Sequence, residues 1–129
     1  MREDLFDIIA LAKAHGLRTR VVTNGITLAD EEYCRELVQT GTNLLISYDG
    51  DDQKTYATLR GSPRFIELKQ RAIENVALLR HSKVGLISCI ARNLNGHQVQ
   101  EILDFCHRHR HLIRRLLLMP LAQTWDTSR

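Results

Sequence analysis

Aromatic residues and prolines are scarce in this chain, and long apolar runs are missing from it. Three phenylalanines, three tyrosines and one tryptophan among 129 residues supply little of the stacking surface that single-stranded nucleic acids require. Lys and Arg outnumber Asp and Glu by only 18 to 15, a formal net charge of +3. That excess is too small to mark a nucleic-acid footprint, and nucleic acid is not an expected partner. No apolar stretch approaches the ~20 residues of a membrane-spanning helix. The N-terminal MREDLFDII lacks the apolar core and small-residue cleavage site of a signal peptide. Cys34, Cys89 and Cys106 are odd in number and widely spaced, so they form neither a disulfide framework nor a C-x-x-C clip. They read as small buried hydrophobes, and a reducing cytoplasm is the expected compartment. Neither a P-loop nor a G-x-G-x-x-G fingerprint occurs, which disfavours a phosphate-cradling loop.

What is present is an alternation of two hydrophobic periods. Leu5, Ile8, Ile9 and Ala12 recur at helical spacing, with Gly16 as a stop. RTRVVT at 18–23 is a short strand closed by the turn-forming pair Asn24-Gly25. Thr27 reads as the N-cap of a helix with Asp30, Glu31 and Glu32 in its first turn and Gly41 at its end. Residues 44–46 form the next strand. A helix follows over 64–80, with Phe65, Leu68, Ala72, Ile73, Val76 and Leu79 along one stripe. VGLISCIA at 84–91 is almost continuously apolar, as for a strand covered on both faces. Asn95 reads as the cap of a helix carrying Val99, Ile102, Leu103 and Cys106. LLLM at 116–119 is the last strand, ended by Pro120.

The order α-β-α-β-α-β-α-β implies an α/β fold with a parallel sheet, either open and doubly wound or a (βα) barrel. The whole chain, 1–129, reads as one domain without repeats or linkers. The longest connection is a polar loop over 48–63, a length often tied to function.

Ligands of a parallel sheet bind at the carboxyl ends of its strands. Those ends offer Thr23 and Asn24, Ser47 and Asp49, Arg92 and Asn93, and an apolar wall at Met119 and Leu121. Ser47 and Asp49 share a face if the strand stays extended. Polar groups beside an apolar wall describe a pocket for a polar small molecule with a flat apolar part. Asp49 has a second reading, because Asp-Gly is also a favoured turn pair. CHRHRH at 106–111 places His107 and His111 at i, i+4. No carboxylate within the run completes a metal set, and the run reads as a solvated basic face.

TNG at 23–25, ISYDG at 46–50, YATLRG at 56–61 and AIENV at 72–76, in that order, resemble the radical S-adenosylmethionine family, a partial (βα) barrel. The resemblance implies an S-adenosylmethionine site at the strand tips. Ser47 matches the strand-end hydroxyl that contacts the cofactor. Arg60 matches the loop arginine that takes its methionine carboxylate, a role suited to a guanidinium's paired donors. Asn24, and Asp49 on its ligand reading, line the same cradle, while 84–92 and Met119–Leu121 flank the adenine. The family also implies a [4Fe–4S] cluster and 5′-deoxyadenosyl radical chemistry on a substrate that the sequence does not identify. The cluster motif C-x-x-x-C-x-x-C is absent, as is the strand that binds the methionine amino group. The expectation is therefore a middle and C-terminal segment of the family's barrel, an incomplete TIM-like sheet that is inactive by itself. No metal ligands are assigned. An unpaired edge near 18–23 would favour dimerisation. The alternative is a non-catalytic α/β module that binds a ligand or a protein.

Overall fold

A computed structural model describes residues 3–91 and 93–121. Helix α1 (Leu5–Ala14) leads to strand β1 (Arg20–Thr23), a 3₁₀ turn (Ile26–Ala29), and α2 (Glu31–Gln39). Strand β2 (Asn43–Ser47) is followed by two helices, α3 (Gln53–Arg60) and α4 (Phe65–Leu78). Strand β3 (Val84–Ile90), a second 3₁₀ turn (Gly96–Gln98), α5 (Val99–Arg108) and β4 (Ile113–Pro120) complete the order.

All four strands are parallel, and their spatial order is their order in the chain, β1-β2-β3-β4. A doubly wound sheet must reverse its strand order to place helices on both faces. Here the order never reverses, which is the winding of a barrel segment. Burial agrees. Leu44, Ile46, Val84 and Leu86 join Leu37, Ala72, Ile73, Val76, Ile102 and Phe105 in the core between sheet and helices. The strand residues of opposite parity, among them Val22, Ser47, Ile87 and Cys89, face a cleft instead. The apolar β3 therefore has one covered face and one lining face, not the two covered faces expected from its composition. Apolar residues line such a cleft as readily as they fill a core, so continuity of the run does not separate the two cases.

Several boundaries shift for local reasons. Asp30, not Thr27, caps α2: its Oδ1 accepts the Tyr33 N–H at 2.9 Å, and 26–29 is a 3₁₀ turn. Asn95 does not cap α5. Its buried amide instead ties the end of β3, accepting from Ala91 N–H and donating to Cys89 O, both at 2.8 Å. β4 starts three residues earlier than the LLLM run, at Ile113. Pro120 sits inside the ladder opposite Ile90, where an edge strand tolerates its missing N–H, and Leu121 N–H then reaches Ile90 O at 2.8 Å.

The largest difference lies in 48–63, which is not a long loop. Asp52 caps α3 by accepting from Thr55 N–H at 2.7 Å and Thr55 Oγ1 at 2.8 Å. Gly61, at φ 81°, ends the helix in the left-handed conformation that glycine adopts without strain. Among the described residues β1 pairs on one side only, with β2, so it is a sheet edge as expected. No described helix is long and apolar enough to cross a membrane.

Candidate functional site: a cleft at the strand tips

A cleft of about 350 Å³ opens at the carboxyl end of the sheet. Val22, Thr23, Asn24, Ser47, Arg60, Ile87, Cys89 and Met119 line it. Asn24, Ser47 and Arg60, expected at one site from the sequence, are therefore brought together from β1, β2 and α3. Ile87, Cys89 and Met119 supply the apolar side. Leu121 is exposed and outside the lining, as is Asn93. Arg92 lies outside the described residues.

Asp49 sits behind this surface with no solvent exposure. Its Oδ2 accepts from both Nε and Nη2 of Arg60 at 2.7 Å. Its Oδ1 accepts the Cys89 N–H at 2.8 Å, and its own N–H donates to the Tyr56 hydroxyl at 3.2 Å. Both carboxylate oxygens are thus committed to the protein. The turn and ligand readings of Asp49 both give way to a third arrangement: a buried anchor for the guanidinium. Arg60, placed in a loop by its polar surroundings, belongs to the last turn of α3. That turn returns the chain toward β2, and the bonds to Asp49 leave Nη1 without a protein partner among the described residues.

A residue that pattern reading passes over completes the floor. Lys69, on α4, is only 2% exposed. Its ammonium donates to Asn24 O at 2.8 Å, to Ser47 Oγ at 2.7 Å and to Ser47 O. Nζ also stands 5.7 Å from the centre of the Tyr56 ring, within cation–π range. Burial lowers the Lys69 pKa to about 8; Asp49 pushes the other way, and Arg60 adds to the depression. The sequence carried a signal for it. Position 69 is four after Phe65, three before Ala72 and four before Ile73, so a lysine there interrupts the apolar stripe.

Electrostatically, the cleft floor holds Arg60 and Lys69 against the one carboxylate of Asp49. The formal surplus of one positive charge lies beside an apolar wall. That combination suits a ligand that ends in a carboxylate and carries a flat apolar group. Ser47 accepts from Lys69 through Oγ and keeps its own hydroxyl proton available for an acceptor.

The cysteines do not fit a cluster. Cys34 is buried in the core, where desolvation raises its pKa to about 11. Cys106 packs against that core from α5 and Cys89 lines the cleft. Among the described residues no three His, Cys, Asp or Glu side chains come together to hold a metal. In the 107–111 run, the His109 ring lies tilted against Phe105 with ring centres 4.4 Å apart, while Arg110 Nη1 lies 3.4 Å from His107 Nε2.

No family model matches the chain. It is 29% identical over 126 residues to the 7,8-dihydro-6-hydroxymethylpterin dimethyltransferase of Methanocaldococcus jannaschii, covering 96% of this chain and 25% of that protein. It is 25% identical over 126 residues to the mycofactocin maturase of Mycobacterium tuberculosis, covering 98% and 32%. The AdoMet-dependent heme synthase of Nitratidesulfovibrio vulgaris is 31% identical over 110 residues, covering 84% and 29%. The chain thus spans between a quarter and a third of the length of these curated relatives. These proteins are members of the radical S-adenosylmethionine family, and the chain, with its four-stranded parallel sheet and TNG, ISYDG and YATLRG tips, is their homologue.

Proposed function

We propose that the cleft holds S-adenosylmethionine, with Arg60 taking the methionine carboxylate, Ser47 donating to an oxygen of the amino acid or ribose, and Asn24 closing the β1 side. The apolar side chains of Ile87 and Met119 then cover the adenine. One observation carries this reading: a guanidinium anchored on a buried carboxylate, with Nη1 free of protein partners among the described residues, lines a cleft that has an apolar wall. A guanidinium held in this way presents its remaining donors in a fixed plane, which is what carboxylate recognition needs. That a relative is named as AdoMet-dependent supports the choice of cofactor. Asp49 acts as the residue that aims Arg60 and makes no contact with the ligand itself.

Among the described residues none are grouped to hold a cluster, so the proposal is restricted to holding the cofactor. Within the parent activity, this chain supplies part of the cradle for radical chemistry on a substrate set by residues elsewhere. Calorimetric titration tests the reading. S-adenosylmethionine and S-adenosylhomocysteine, which share the carboxylate and the adenosine, are expected to bind. Adenosine, which lacks the amino-acid arm, is expected to bind at least tenfold more weakly. Equal affinity for adenosine would remove Arg60 from carboxylate recognition.

A further inference from the structure

Three elements meet at one ammonium. Lys69 reaches from α4 to the backbone carbonyl at the tip of β1 and to both oxygens at the tip of β2, and none of its three donors is left for solvent. A buried lysine that reached a single partner would be a packing accident tolerated by the fold. One whose three protons are shared between two adjacent strand tips sets the distance between them, because the acceptors must converge on one nitrogen. Both tips line the cleft.

We propose that Lys69 is a positioning residue, a latch whose protonated ammonium holds Asn24 and Ser47 in register so that the cleft accepts the carboxylate end of its ligand. The inference rests on the S-adenosylmethionine reading for its functional part and on geometry alone for the latch.

Loss of the proton changes the chemistry. A neutral amine keeps two donors for Asn24 O and Ser47 O, and the Ser47 hydroxyl turns its proton onto the amine lone pair, so Ser47 no longer has that proton to donate to a ligand. The groups facing Nζ all come from this one floor. Asp49 favours the charged form and Arg60 opposes it, while the Tyr56 ring stands at 5.7 Å and its phenol is kept neutral by burial. With the ammonium titrating near 8, Ser47 is set to donate to a ligand at neutral pH and is turned inward in mild alkali. A carboxylate entering beside it favours the protonated form, so binding takes up a proton around pH 8.

Two measurements on the full chain test this. In carbon-13 NMR, the Lys69 Cε and the carbonyl carbons of Asn24 and Ser47 are expected to titrate together near pH 8. Titration of Lys69 at an ordinary lysine value, or without movement of the two carbonyls, would overturn the latch. By calorimetry, affinity for S-adenosylmethionine is expected to fall about tenfold between pH 7 and pH 9, as the protonated fraction falls. The Lys69→Met variant is expected to bind more weakly at pH 7, with a flat profile and no proton uptake. A variant with the wild-type profile would overturn the proposal. Should Lys69→Met not fold, the NMR titration of the unaltered protein decides. Failure of the unaltered protein to bind S-adenosylmethionine at pH 7, with the three carbons still titrating together, would sink the cofactor reading and leave the latch intact.

Discussion

Replacing Arg60 by alanine looks like a simple way to probe ligand binding, but the structure assigns it a second effect. Asp49 is fully buried, and Arg60 supplies both bonds to its Oδ2. Removing the guanidinium leaves a desolvated carboxylate with only the Cys89 N–H on Oδ1. Breaking a buried pair by deleting one partner costs roughly 3–5 kcal/mol. The Arg60 side chain is 32% exposed, so some water reaches the gap and a smaller cost than that range, about 2–3 kcal/mol, is expected. Asp49→Asn should cost a similar amount. The asparagine keeps an acceptor for Cys89 N–H but turns an amide donor toward Nε and Nη2, donor against donor. The double variant Asp49→Asn/Arg60→Ala removes both charges and should cost little more than either single change. The coupling between the sites is then about 2 kcal/mol. Urea unfolding of the four proteins at pH 7 measures it. Additive losses, within about 0.5 kcal/mol, would refute the argument that Asp49 and Arg60 act as one unit. For ligand binding, Asp49→Asn keeps the guanidinium but loses its aim, so about tenfold weaker binding of S-adenosylmethionine is expected. An unchanged affinity would show that Arg60 is oriented by something else.

Lys69 makes a pH-dependent contribution to stability whose sign follows from its lowered pKa of about 8. The unfolded chain, with an ordinary lysine near 10.4, binds more protons than the folded one between these values. Stability from this group therefore rises with pH across roughly 8 to 10, and urea midpoints for the unaltered protein minus Lys69→Met should show that rise. Gly25→Ala is expected to lose about 2–3 kcal/mol in urea unfolding. The backbone there has φ 82° and an added Cβ would stand 2.8 Å from Ile46 Cγ2, so backbone strain and overpacking add. A loss under about 0.5 kcal/mol would mean that the turn after β1 relaxes freely. We also propose that the edge strand β1, with Val22 65% exposed, drives self-association. Light scattering should show a concentration-dependent dimer that Val22→Lys weakens, and a monomer at all concentrations would end that idea.

Much of this architecture was legible in the residues. The helices at 5–14, 31–39, 65–78 and 99–108 announce themselves through apolar stripes, and the strands through short runs between glycines and polar turns. Asn24 and Ser47 fall at one site because parallel strands send their C-terminal ends to the same side, and Arg60 joins them through the resemblance carried by YATLRG. What escaped was set by polar contacts between distant segments. Helix α3 carries few apolar residues, and its evidence lies in its ends, the Asp52 cap and Gly61, which resemble an ordinary polar loop. The role of Asp49 depends on Arg60, eleven residues away, and on Cys89 N–H, forty residues away. Nothing local distinguishes such a carboxylate from one that caps a turn. Lys69 was visible as a charge on an apolar stripe, but its partners are not. A buried lysine and a snorkelling one look alike until the strand tips are in place.

The choice of acceptors at the latch bears on how this cleft can change over evolutionary time. At β1 the ammonium binds the carbonyl of residue 24, a group that every amino acid presents, and leaves the asparagine side chain to brace the following turn through Ile26 N–H. The tie to Lys69 at position 24 therefore survives a change of side chain, and residues such as Asp that keep an acceptor for Ile26 N–H can alter what the cleft admits while the strand tip stays where it is. Position 47 has no such freedom, because its hydroxyl is itself one of the three acceptors. Two adjacent tips tied to one nitrogen thus differ in how much variation they tolerate, and libraries aimed at new specificity belong at 24 with 47 and 69 held constant.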